Sequence, residues 1–372
     1  VSENPLPESI LQFGAGRFLR AFVDRFVQEA NDAGQQVGRV VVVQSTPGSR
    51  AEVLGKSAGF HVVVRGYDDG ELIDRAENVR SISRAVVAGT AWGEVLTLAR
   101  SPALKYIVSN ATEAGYALDD ADRVDAAPPA SLPGKLTQVL WQRFQAGAAP
   151  VVLLPCELIE RNADKLRELC LAQSRLWALP AEFSAWLADL PWLNNLVDCI
   201  VTPGPADHPL AESDPALISA EPYRLWAIER PAAGVPALFT HPAIRLVDDL
   251  APFYLRKVRI LNGTHSAMAA KFQPAGFETV GQVLDDSDAR RWVRDLMFEE
   301  IVPTLAYRLE GVAEFADQTF DRLRNPFLKH RLSDILLNHA AKVAVRLAPT
   351  RTEYEALFSR PPKKLSEAMQ AT

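Results

Sequence analysis

Cysteine is scarce in this sequence, and so are excess positive charge and long apolar runs. The three cysteines, Cys156, Cys170 and Cys199, are odd in number and widely scattered. Such a set gives neither a disulfide framework nor the close spacing of a metal knuckle, and it implies a reducing compartment. No apolar run approaches the roughly 18 residues of a membrane span. Nor does the N-terminus show a charged segment leading into an apolar one, as a secretory signal does. The expectation is a soluble, cytoplasmic chain with no membrane partner. With 40 Lys and Arg against 46 Asp and Glu, the net charge is −6, which argues against a nucleic-acid partner. Internal repeats and low-complexity segments are also missing. What remains is a 372-residue chain, 48% hydrophobic, long enough for two domains and a large core.

What is present starts with a short apolar strand from Ser9 to Phe13, followed at once by Gly14-Ala15-Gly16-Arg17-Phe18-Leu19-Arg20. Phe18, Phe22 and Phe26 recur at helical spacing with Leu19, Val23 and Val27, so a helix follows the turn. A second strand, Arg39 to Gln44, comes next. Strand, glycine turn, helix, strand is a dinucleotide-binding unit, in which glycines let the backbone approach a pyrophosphate at the positive end of a helix. Leu19 stands where a third glycine is usual. Gly14, Ala15, Gly16, Arg17 and Phe18 are therefore candidate cofactor contacts, with Gln44 and Ser45 at the end of the second strand. The stretch from Gln44 to Arg50 has no acidic residue to hold a ribose 2′-hydroxyl, and Arg50 could meet a 2′-phosphate instead.

Ala103 to Asn110 reads as a further strand, running into Ala111-Thr112-Glu113-Ala114-Gly115. A polar turn there lies at the carboxyl edge of a parallel sheet, where ligands collect, making Asn110, Thr112 and Glu113 candidates. The alternative is that Asn110 or Thr112 caps the next helix. After an amphipathic helix from Lys135 to Phe144, the strand Pro150 to Pro155 closes on Cys156-Glu157-Leu158-Ile159-Glu160-Arg161-Asn162. Asn162 precedes a helix from Ala163 to Ala172, so capping is its plain structural role. Pro203 to Pro242 reads as an irregular connection. Beyond Pro252 the pattern is helical to Leu347 with a break near Phe320 to Pro326, and the tail from Pro349 reads as loosely held. This is an α/β chain: a Rossmann-type domain with insertions over residues 1–245, and a mostly helical domain over 246–372.

Lys257-Val258-Arg259-Ile260-Leu261-Asn262-Gly263-Thr264-His265 brings an amine, an amide and an imidazole into nine residues. On an α-helix of about 100° per residue the three side chains span an arc of roughly 140°, enough to line one pocket wall. The plain reading is an amphipathic helix with Lys257 in solvent. Later, Asn325-Pro326 looks like a helix start, yet Arg322, Arg324, Lys329, His330 and Arg331 surround it. Cations at a helix N-terminus oppose the macrodipole, so either an anion such as a carboxylate sits there or nearby acids pair with them.

Taken in order, the glycine turn, Ser109 to Gly115, Pro155 to Asn162, Lys257 to His265 and Arg322 to Pro326 resemble the polyol-specific long-chain dehydrogenase family. Within it, the Pro-Cys-Glu-Leu-Ile and Arg-x-Arg-Asn-Pro-Phe stretches look most like its uronate branch, the tagaturonate reductases or altronate oxidoreductases. The resemblance implies a Rossmann-type domain, a helical domain and a metal-independent active site. It implies Lys257 as general acid/base, Asn162 and Asn262 as donors to the substrate oxygen, and His265 as the orienting group. Arg322, Arg324, Lys329 and His330 would hold a small sugar-acid substrate. It also favours NAD as cofactor, with NADP open. The residue types suit the reaction, because a ketone accepting hydride gains negative charge that amides can stabilise and an ammonium can protonate. Useful proton transfer near neutrality calls for a lysine pKa of roughly 7–8 against an ordinary value of about 10.4, so desolvation or positive neighbours such as Arg256 and Arg259 would be needed. Tyr254 stands where the mannitol enzymes carry a glutamate, and the chain ends sooner than tagaturonate reductases do. A mannitol-type polyol 2-dehydrogenase and a non-catalytic dinucleotide-binding regulator are the alternatives.

Overall fold

The structure, a computed structural model, describes residues 6–56, 59–112, 115–233, 235 and 239–370. They form two compact units. One comprises the chain up to Val64 with Arg75–Ala220 and Arg224–Leu250; the other comprises Arg65–Asp74, Glu221–Tyr223 and the chain from Ala251 onward.

The first unit is built on a parallel five-stranded sheet, in the order Ile82–Val87, Arg39–Gln44, Glu8–Phe13, Tyr106–Ser109, Val152–Pro155. Apart from the half-buried edge strand Ile82–Val87, these strands are short and almost wholly buried, as expected where helices cover both faces. Leu11, Phe13, Val41 and Val43 pack with Trp92 and Val95 of helix Ala88–Ala99 and with Leu136 and Leu140 of helix Leu132–Gln145. Counted along the chain, the strand order reverses at the first strand, which lies between the second and the fourth. That is a topological switch point, where open α/β sheets bind ligands at the carboxyl ends of their strands. Phe13 pairs in register with Ser109, so the chain leaves both strands side by side at that point.

Several strands carry no legible alternation. Phe60–Asp68, Glu71–Val79, Ile218–Ala220 and Val201–Pro203 belong to a four-stranded sheet, and Asn195–Asp198, Leu225–Glu229 and Ile244–Val247 to a three-stranded one. The stretch from Pro203 to Pro242 is thus less irregular than its prolines imply. Its strands are three to five residues long, too short for a periodic pattern to register.

The second unit is helical around Ile260, Met268, Val293, Leu296, Met297, Leu305, Phe315 and Leu347. Three π-turns interrupt its helices: Lys257–Asn262, Leu296–Ile301 and Val343–Leu347. The first packs against both of the others. The tail is not loosely held. Ala348–Phe358 and Lys363–Gln370 are helices, and Leu365 and Ala368 are fully buried. Glu300 accepts hydrogen bonds from Lys364 N and Leu365 N, each 2.8 Å, and so satisfies the free amides at the start of the last helix. Composition alone hides this, because the polar tail carries only a few well-placed apolar side chains.

No helix begins at Asn325-Pro326. Helix Val312–Leu323 ends just before it, and Asn325 Oδ1 accepts from Phe327 N at 3.0 Å to make a tight turn. Arg322 and Arg324 therefore stand at a helix C-terminus, where positive charge is favoured. For these two arginines the local conflict disappears, while Lys329, His330 and Arg331 stand just before the short helix Leu332–Leu336, whose N-cap is Arg331.

Candidate active site

Two glycines shape the turn at the switch point, for different reasons. Gly14 has φ +128°, and a Cβ there would lie 3.3 Å from both Asn110 O and Leu19 Cδ1. Backbone conformation and crowding both call for glycine. Gly16 has φ −66°, which any residue adopts, and a Cβ would meet nothing within 4 Å. Nothing in the protein calls for glycine there. Open space in front of Gly16, at the end of a strand on the switch point, fits the close approach of a pyrophosphate. Ala15 is buried, Arg17 exposed, and half-buried Phe18 stacks on Phe22 at 5.0 Å. The helix expected behind the turn is broken: Arg17–Ala21 stops at Phe22, with φ −114° and ψ −79°, and Val23–Asp32 starts a new one.

Around this turn the polar side chains are engaged within the protein. Gln44 Nε2 donates to Thr46 O and Gly48 O at 2.8 and 2.7 Å, and its Oε1 accepts from Ala51 N. The expected cofactor contact is thus a buried brace of the loop that follows, beside exposed Ser45. Half-buried Asn110 donates to Cys156 O at 2.7 Å, Thr112 is exposed, and Glu113 lies outside the described residues. Glu157, buried, accepts from Ala111 N and from the Tyr116 hydroxyl, each at 2.9 Å, and so ties the ends of the fourth and fifth strands together. Burial pushes its carboxyl above the usual range. Asn162 is 1% exposed, and its Nδ2 lies within hydrogen-bond distance of Pro155 O, Glu157 O and Asn195 O. Its amide hydrogens are thus engaged with backbone carbonyls in this structure. Capping of its helix falls to Asn194 Oδ1, which accepts from Ala163 N and Asp164 N.

In the helical unit, Lys257–His265 is not one α-helix. Gly263 N donates to Val258 O, an i→i+5 step, within the π-turn that begins at Lys257. Such a turn advances less per residue than an α-helix, so Lys257 and Asn262, five residues apart, come closer in angle than the expected arc; π-turns recur at functional sites. Lys257 and Asn262 are half-buried and His265 is 7% exposed. The His265 ring meets the ring of His330 edge-on, with centroids 4.9 Å apart.

Residues 8–238 match the mannitol dehydrogenase Rossmann domain and residues 249–357 the mannitol dehydrogenase C-terminal domain. The chain belongs to the mannitol dehydrogenase family. It is 36% identical to the altronate oxidoreductase of Bacillus subtilis (strain 168) over 96% of this chain and 78% of that one. With the altronate oxidoreductase of Yersinia enterocolitica it shares 37% over 98% and 79%. In fold it is similar to Pseudomonas fluorescens mannitol 2-dehydrogenase, solved as a ternary complex with NAD and D-mannitol (TM-score 0.76, 20% identity, 98% of this chain and 78% of that one). It is similar also to a D-sorbitol dehydrogenase in substrate-free form (TM-score 0.81, 19% identity, 98% and 80%). Membership makes it an oxidoreductase acting on a CH–OH group.

Within this family member the expected substrate-binding cluster divides. Arg322 is buried in a two-bond pair with Glu221, at 2.9 and 2.8 Å, and lies over the Tyr223 ring at 4.1 Å. Half-exposed Arg324 is 3.6 Å from Asp321, and Lys329 is exposed. His330 alone joins His265. Lys342 and Arg346 were missed by sequence reasoning. Burial lowers the pKa of His330 and that of His339, whose ring nitrogens are both buried without a hydrogen-bond partner; the charge on Lys342 adds to this at both, and Asp334 opposes it at His330. Arg346 donates to Ser266 Oγ at 3.1 Å, and the field of Tyr254 reaches it. The signal was weak: two cations in a short segment whose phase a π-turn resets. Arg256 and Arg259, the expected positive neighbours of Lys257, are engaged elsewhere, with Glu310 and Gly311 carbonyls and with Glu353. Among the described residues no group of three or more His, Cys, Asp or Glu could hold a metal, and no helix is long and apolar enough to cross a membrane.

Proposed function

We propose that this chain reduces a keto-uronate, tagaturonate or fructuronate, to the corresponding aldonate, with NAD as cofactor. The observation that supports the substrate class is a pair of cations near the two histidines, Lys342 acting on His330 alongside Asp334 and Arg346 donating to Ser266 next to His265, in a chain whose relatives are named altronate oxidoreductases. A neutral polyol gives no reason for it.

The Gly14–Gly16 turn would hold the pyrophosphate of the cofactor, which the space before Gly16 supports, and the bound nicotinamide would supply hydride to the carbonyl carbon. The substrate oxygen then gains negative charge, and Lys257 delivers the proton to it as general acid. Asn262 donates a hydrogen bond to the same oxygen, which stabilises the charge as it develops. His265, held edge-on by His330, orients the reacting groups. Lys342 supplies a positive contact for the substrate carboxylate. Asn162 acts one step back, by fixing Pro155 and Glu157.

The test is a panel of tagaturonate, fructuronate and fructose with NADH and with NADPH, read by loss of absorbance of the reduced nicotinamide. Turnover of a keto-uronate with NADH far above that of fructose is expected. Fructose as the better substrate would replace the proposal with a mannitol-type polyol dehydrogenase, and no turnover with any would favour a regulator.

A further inference from the structure

Beneath the glycine turn lies a polar pair that no step above uses. Gln12 and Asp24 are both fully buried. Gln12 Nε2 lies 3.2 Å from Gly14 O and 3.2 Å from Asp24 Oδ2. One oxygen on each side chain, Gln12 Oε1 and Asp24 Oδ1, is buried with no hydrogen-bond partner. Two such orphaned acceptors on side chains already in contact are costly, since each loses water without replacement. A single proton resolves both. With Asp24 protonated on Oδ1, that hydroxyl would donate to Gln12 Oε1 while Gln12 Nε2 donates back to Asp24 Oδ2, which would close a cyclic acid–amide pair.

We infer that a protonated Asp24, paired with Gln12, positions the carbonyl of Gly14 and thereby the turn that receives the dinucleotide phosphates. The inference rests on the reading of that turn as the cofactor site. The charge facing Asp24 comes from Arg20, on the short helix before it; Arg20 in turn donates to Ala216 O and feels Asp214, Arg17 and Arg50. The hydrogen bond from Gln12 Nε2 favours an ionised Asp24, as do Arg20 and the position of Asp24 in the first turn of its helix. Burial works the other way and prevails, raising the carboxyl to about 7. A folded value above the usual 3.8 means that the neutral form stabilises the fold. That contribution is full in acid and is lost as pH rises through about 7. Above it, a buried charge faces the Gln12 oxygen and the turn loses its support.

Asp24→Asn tests this, because an asparagine amide donates and accepts as the neutral acid does. NADH affinity of the parent chain should fall by about fivefold or more from pH 6 to pH 8.5, as expected for one linked proton. In Asp24→Asn it should stay near its acid value throughout. Asp24→Asn binding NADH more weakly than the parent at every pH would show that the anion is needed and overturn the inference. The side-chain carboxyl carbon resonance of Asp24, assigned by its loss in Asp24→Asn, supplies a readout that needs no cofactor. Titration of that resonance near neutrality supports the pair, and an ionised Asp24 from pH 5 upward overturns it. If the parent chain binds no dinucleotide, the cofactor reading fails, while the carboxyl titration still decides the pairing.

Discussion

The glycine turn and the Lys257 π-turn offer chemistry in opposite ways. At the first, the protein presents backbone, and the surrounding side chains (Gln12, Gln44, Asn110, Glu157, Asn162) are engaged in hydrogen bonds to their own chain. At the second, the proposed chemistry rests on side chains, carried on a backbone that departs from α-helical phase. The difference teaches where each half is sensitive. A backbone site fails when a side chain fills its space, whereas a side-chain site fails when one functional group is removed.

Removing the ammonium should produce the largest effect. Lys257→Ala is expected to lower turnover by about 10²- to 10⁴-fold, with NADH affinity unchanged, because the glycine turn is untouched. The basic limb of the pH profile for alcohol oxidation should vanish with the base, and small amines should restore part of the rate. Near-normal turnover would return Lys257 to an ordinary helix position, where alanine is well tolerated.

Next in size is the buried pair. Arg322→Ala takes the two-bond arginine partner away from buried Glu221, at a cost of roughly 3–5 kcal/mol. Urea denaturation should show a large loss of stability. If stability holds and only KM rises, Arg322 belongs to the substrate after all.

The carboxylate contact comes third. Lys342→Ala should raise KM for a keto-uronate by roughly tenfold to a hundredfold, in keeping with about 1.5–3 kcal/mol for a charged hydrogen bond, and leave a neutral ketose little affected. Arg324→Ala, at a half-exposed helix end, should change either KM by less than about fivefold, the equivalent of a surface ion pair worth under 1 kcal/mol. The reverse order would restore the cluster as first read from the sequence.

The smallest effect concerns His330. Burial lowers its pKa below the usual 6.5, so the neutral ring is the form the fold favours. The sign follows: its contribution to stability is full above pH 6.5 and is lost as pH falls below it. His330→Gln should flatten the decline of melting temperature between pH 7 and pH 5. An unchanged slope would place the acid sensitivity elsewhere, with His339 the next candidate.

The same contrast explains what could be read from the residues alone. Glycines after a buried strand point to a backbone site: the turn's own geometry calls for Gly14, but nothing in the protein calls for Gly16. The strand Arg39–Gln44 was equally plain, as a run of four valines. Side-chain sites in the helical unit were only half legible. Lys257, Asn262 and His265 stand out by chemistry, but an α-helical wheel misplaces them, since nothing in the residues signals an i→i+5 turn. Arg322 and Arg324 were placed at a helix start because Asn325-Pro326 carries a signal that a tight turn uses equally well. Asn162 shows a further limit: an amide suited to a substrate oxygen is equally suited to three backbone carbonyls, and only the fold decides.

The central claim is that the glycine turn binds a dinucleotide through backbone, with the space before Gly16 kept open for phosphate. Titration of NADH into folded Gly16→Val, followed by nicotinamide fluorescence, tests it most directly. A valine Cβ meets nothing in the protein itself, so the variant should fold and show the parent's melting temperature. The account predicts that such a folded variant no longer binds NADH. Parental NADH affinity in that variant would contradict it.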